Sequence, residues 1–230
     1  MNDVSQTHRE RLEFLKEYIL SIDMGRRFVG DQLVTRKTAE LEAAGFFHEN
    51  PDSEDDDHFW ACNEIGGVHL FALQTREMLW AQMTLIIWTF IEQLFSDAMI
   101  SLTSSLGIEE QFDRNRSNKN LVRKWESFFH KTLNFKPCLT KEDWQDLEAF
   151  LRIRNFISHS THRPGHPPRG AQLKAAKRMQ GLTIEHDGLG ISAKFLQSSY
   201  RLANHCLRAL AGEHWLHSEK LDLPEITNAS

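Results

Sequence analysis

The sequence predicts an all-α chain, a helical bundle with one short β-hairpin before its last long helix. Three observations carry that expectation. Apolar residues recur at helical spacing through most of the 230 residues. Proline is scarce, with 6 in all, and three of them (Pro164, Pro167, Pro168) fall close together. The stretch LTIEHDGLGIS (182–192) reads as two short strands around a turn at His186-Asp187-Gly188.

In chain order, Leu12, Phe14, Leu15, Tyr18 and Ile19 predict a first helix, and Gly25 separates it from a second through Phe28, Leu33, Leu41 and Phe46. HENPDSEDDD (48–57) is too acidic and too poor in apolar residues to pack, and reads as a solvated loop. A long helical tract follows from Val68 to Leu106, ended by Gly107. Its most apolar part, MLWAQMTLIIWTFI (78–91), is shorter than a bilayer requires and reads as buried, with Trp80, Trp88, Phe90 and Phe95 in the core. A polar connector, DRNRSNKN (113–120), leads to an amphipathic helix carrying Leu121, Val122, Trp125, Phe128 and Phe129. In TKED (140–143) a threonine precedes an acid by three residues, a capping-box signal for the next helix. STHRPGHPPRG (160–170) cannot continue that helix. The last helix runs from about Ala193 to His217. The expected divisions are an N-terminal helical extension with its acidic loop over 1–65, a bundle domain over 66–218 and a tail over 219–230.

Composition narrows the function classes. The amino terminus is charged throughout, without the apolar core of a signal peptide, so a cytoplasmic protein with no membrane attachment is expected. Cys62, Cys138 and Cys206 are scattered, which fits reduced thiols rather than a disulfide framework. A net charge of −5 argues against a general nucleic-acid coat and leaves room for a local basic site. There is no glycine-rich phosphate loop and no G-x-S-x-G elbow. His159/His162 and His214/His217 have H-x-x-H spacing, but no cysteine or carboxylate completes a four-ligand set, so neither metal nor cofactor is expected.

The informative stretch is LRIRNFISHS (151–160). On a wheel of about 100° per residue, Leu147, Phe150, Leu151 and Ile157 all fall within about 60° of Arg154. A guanidinium among apolar neighbours is costly unless something anionic accepts its hydrogen bonds. Either an internal carboxylate pairs with it or an anionic ligand comes to it. Asn155 flanks it, and His159 lies about 140° round the helix, so one straight helix does not aim both groups at one atom. A second copy of the helix across a two-fold axis would. From Ser160 to Gln180 the chain holds Arg163, Arg169, Lys174, Lys177 and Arg178 with neither Asp nor Glu, a candidate phosphate-contacting surface.

RNFISH (154–159), late in a helix, resembles the R-N-x-x-x-H signature of the HEPN superfamily of small helical-bundle domains. The upstream helix IIWTFIEQLFSDAM (86–99), the basic loop and the last helix fit the same order, over about residues 75–217. The resemblance implies a bundle of HEPN type and a metal-independent endoribonuclease that works as a homodimer on RNA, in a toxin or antiviral role with an antitoxin or regulatory partner. Arg154 and His159 would be the catalytic pair, Asn155 the polar residue beside the arginine, and Glu92 the acid of the earlier helix. Ser160 and Thr161 stand where toxins silenced by adenylylation carry a tyrosine, which puts that control in doubt. Two other readings stand beside it. One is a non-catalytic HEPN-like module that binds a nucleotide or RNA or docks a protein. The other is a structural pairing of Arg154 with Glu92.

Overall fold

A computed structural model describes residues 2–46, 56–107, 121–160, 167–184 and 188–211. The elements are α1 (Asn2–Ala43), α2 (Asp56–Leu106), α3 (Leu121–Ser127) continued by a π-helical turn (Phe128–Thr132), α4 (Lys141–Ser160), α5 (Ala171–Arg178), β1 (Leu182–Ile184), β2 (Leu189–Ile191) and α6 (Ala193–Ala211). They group into two compact units: Met1–Glu17 with Trp80–Ser230, and Tyr18–Leu79.

The first unit is a bundle organised by aromatic rings. Trp125 of α3 stacks on Phe95 of α2, centroids 4.5 Å apart and planes 2° from parallel. Phe150 of α4 meets Trp88 edge-on at 5.5 Å and Phe195 of α6 at 5.9 Å. Edge-on and offset contacts suit the ring quadrupoles, so one chain of rings joins α2, α3, α4 and α6. Helix α6 is buried over most of its circumference: Phe195, Leu196, Tyr200, Ala203, Cys206, Leu207 and Leu210 are all inside. Trp80, Trp88, Phe90 and Phe95 are buried as their spacing predicts.

Before α6, β1 pairs antiparallel with β2, Leu182 opposite Ile191 and Ile184 opposite Leu189. Gly181 enters this hairpin at φ 83°, and a Cβ there would lie 2.3 Å from the Phe195 nitrogen. The close approach lets the Gly181 carbonyl accept from both the backbone N–H of Ser192 (3.0 Å) and its hydroxyl (2.7 Å), fastening the hairpin to the start of α6.

The second unit is an antiparallel helical hairpin made of the later part of α1 and the first part of α2. Gly30 faces Ala72 (3.9 Å from an added Cβ), Lys37 pairs with Glu64 at 3.0 Å, and Phe46 packs on Trp60 at 5.1 Å.

Three expectations change. Gly25 does not divide two helices: α1 is continuous, because a single interior glycine weakens a helix by only about 1 kcal/mol. Helix α2 begins at Asp56 rather than near Val68, so residues 56–57 of the acidic run are helical and 48–55 lie outside the described residues. The apolar stretch 78–91 therefore sits inside a much longer helix. Trp60–Leu106 meets the length and composition of a membrane span, a test that bundle core helices also pass. Residues 171–178, expected as loop, form α5. The connector 113–120, the turn residues 185–187 and the tail 219–230 lie outside the described residues.

Candidate anion site around Arg154

Helix α4 presents the site, and its start is locally determined. The Thr140 backbone N–H and hydroxyl both donate to Asp143 Oδ2 (2.7 and 2.8 Å), and the Asp143 N–H returns a bond to the Thr140 hydroxyl at 3.2 Å. That is the reciprocal cap TKED predicts. Asp143 also meets His205 Nε2 of α6 at 3.1 Å. Partial burial works against its carboxylate, yet the Thr140 and His205 hydrogen bonds hold its pKa below the usual value.

The buried face of α4 comprises Trp144, Leu147, Phe150, Leu151, Ile153, Phe156 and Ile157. Arg154 lies within that arc and is half-buried. One guanidinium nitrogen, Nη1, donates to Asn155 Oδ1 at 3.0 Å. Nε is buried and has no partner among the described residues. Glu92 is half-buried on α2 and does not pair with Arg154, so the internal ion pair is absent and the charge is unmatched within the described chain. A buried N–H without an acceptor is costly, and an anion supplying two oxygens would satisfy Nε together with the second terminal nitrogen.

The other predicted residues divide. His159 is exposed and makes no contact with Arg154, in keeping with the angle between them on the helix. Arg169, Lys174 and Lys177 are exposed and unpaired among the described residues, whereas Arg163 lies outside them. Arg178 is committed elsewhere: its Nε donates to Asp146 and Nη2 to the Glu142 carbonyl at 3.2 Å, tying the end of α5 to the start of α4. It is a structural cation first. No group of three or more metal-ligating side chains occurs among the described residues.

Two polar clusters escaped the sequence reading. Glu148 holds both Arg152 and Arg123, each at 3.1 Å; the Glu148–Arg152 spacing signals the first contact and nothing local signals the second. His8, only 2% exposed, sets Nε2 3.1 Å from Asp97 while Gln93 donates to the same carboxylate at 2.6 Å. Burial lowers the His8 pKa even though Asp97 pulls the other way. No family model, curated protein or solved structure matches this chain.

Proposed function

We propose that the chain is a metal-independent endoribonuclease of HEPN type that cuts RNA by attack of the 2′-hydroxyl on the adjacent phosphate, leaving a 2′,3′-cyclic phosphate and a 5′-hydroxyl. The observation that supports this most is the half-buried Arg154 guanidinium, which among the described residues has an unpartnered Nε and no carboxylate, on the helix that carries R-N-x-x-x-H. RNA brings its own nucleophile, so the protein has two tasks. Arg154 holds the non-bridging oxygens and offsets the charge growing on phosphorus. Asn155, through its side-chain oxygen, fixes the guanidinium plane. His159 takes the 2′-hydroxyl proton or protonates the leaving 5′-oxygen. Because the two side chains leave α4 about 140° apart, Arg154 of one protomer and His159 of another meet on one phosphate. Arg169, Lys174 and Lys177 hold the flanking backbone. A toxin or antiviral role, in the cytoplasm and under a regulatory partner, follows from the resemblance alone.

A second reading is favoured by one observation, the exposure of His159 away from Arg154. In it the chain is a module that binds RNA or a nucleotide through Arg154 and cuts nothing. Incubating wild type, Arg154→Ala and His159→Ala with RNA in EDTA separates the two. The nuclease predicts cyclic-phosphate fragments from wild type, none from either variant, and none from an all-2′-deoxy strand. The binding module predicts no fragments at all, and affinity lost in Arg154→Ala but kept in His159→Ala.

A further inference from the structure

We infer that the hairpin unit is a self-association surface on which a second copy of the chain docks, two hairpins closing into four helices. This rests on Tyr18–Leu79 alone and is independent of the ribonuclease reading. On α1 the residues against α2 include Gly30 and Lys37. At about 100° per residue, Tyr18, Ile22, Gly25, Val29 and Leu33 form a stripe about a quarter-turn from that contact line. On α2, Trp60, Gly67, Phe71 and Met78 form a second stripe, displaced from its own contact line by a similar angle. Given the opposite chain directions, both stripes lie on the same side of the hairpin. Neither contains a charge as far as Leu33, and the α1 line then continues into the Arg36–Glu40 ion pair (2.8 Å), which closes that end of the face.

Six of the seven large side chains of this face remain open, from 39% exposed at Leu33 to 60% at Phe71 and Met78, with Ile22 partly covered. Six such residues at roughly half exposure leave on the order of 600 Å² of apolar surface. That is what a standard interface asks for, with about 800 Å² per partner of which roughly 60% is apolar. A monomer rarely leaves so large a contiguous apolar patch in water.

The face is also shaped for its own copy. Its α2 side projects at Trp60, Phe71 and Met78, and its α1 side dips at Gly25, between Ile22 and Val29. A two-fold axis sets each copy's α2 ridge against the other's α1 groove. Gly25 and Gly67 support this. Glycine weakens a helix interior relative to alanine, yet a Cβ at either position meets nothing within 4 Å, so the hairpin itself has no need of them. Charge excludes the other broad occupants. Arg26, Arg27, Arg36, Lys37 and Arg76 are the cations of 18–79, and acids outnumber them more than two to one, which repels nucleic acid and anionic lipid.

Sedimentation of the full chain at micromolar concentration tests the inference. Wild type is expected to run as a dimer that persists in high salt, because apolar contact is not screened. Val29→Glu/Phe71→Glu is expected to run as a monomer with unchanged helical circular dichroism, and His69→Glu, exposed on the opposite side of α2, to remain dimeric. In a Cys62→Ser/Cys138→Ser background, mixed Val29→Cys and Phe71→Cys proteins are expected to form an intermolecular disulfide on oxidation, which needs no disruptive substitution. A monomeric wild type, a dimer that salt dissolves, a still-dimeric Val29→Glu/Phe71→Glu protein, or no cross-link would each overturn it. So would a monomer that floats with neutral vesicles, which would make lipid the occupant.

Discussion

Arg154 concentrates a conflict between folding and use in one side chain. Among the described residues its Nε is buried without an acceptor and its charge has no carboxylate, so the residue weakens the fold it belongs to. Arg154→Met keeps the apolar stem and removes the unmatched group. The substitution is expected to raise stability by about 1 kcal/mol in urea unfolding while RNA binding and cleavage disappear. A loss of stability instead would mean that the guanidinium is already satisfied. His8 is a second residue whose environment sets a measurable property. Its pKa is lowered chiefly by burial, so below its unfolded value the unfolded chain binds the proton more tightly. The contribution of His8 to stability is therefore whole above about pH 6.5 and declines as pH falls from there through the lowered folded value. Urea midpoints across that window should fall more steeply in wild type than in His8→Gln.

Among the elements, the hairpin and the cap of α6 depend on one glycine. Gly181→Ala forces a side chain into the Phe195 nitrogen at a positive φ and is expected to cost about 2–3 kcal/mol, read as a lowered melting temperature. The start of α4 was legible because Thr140 and Asp143 cap each other within one turn. The inward placement of Arg154 was legible from the wheel, since helical phase alone decides which residues share a face. Helix α5 was not: AQLKAAKR offers only Ala175 and Ala176 to the core, too little apolar periodicity over eight residues to register. Gly25 misled because propensity is a weak prior against packing along a whole helix. The missing Arg154–Glu92 pair was beyond sequence reach, because their relative position depends on how α2 and α4 cross.

At the scale of the molecule, the chain joins two unlike packings. The bundle buries a continuous run of rings, whereas the hairpin unit leaves much of its apolar surface open. If catalysis draws Arg154 and His159 from different protomers, two dead proteins complement each other. Mixing equal amounts of Arg154→Ala and His159→Ala under exchange makes half the dimers mixed, each with one intact site of two, so about a quarter of wild-type cleavage should return. No recovery would place the pair within one chain or remove His159 from the reaction.

The cysteines of the two packings differ in accessibility as well. Cys206 is enclosed in α6, where burial and the neighbouring Asp143 push its thiol up and keep it unreactive, while Cys62 and Cys138 face solvent. A thiol reagent should therefore modify two sites in the native protein and a third only on unfolding. Cys62 belongs to the hairpin and Cys138 to the bundle. Spin labels or dyes attached to the unaltered protein would thus report from one defined point in each unit.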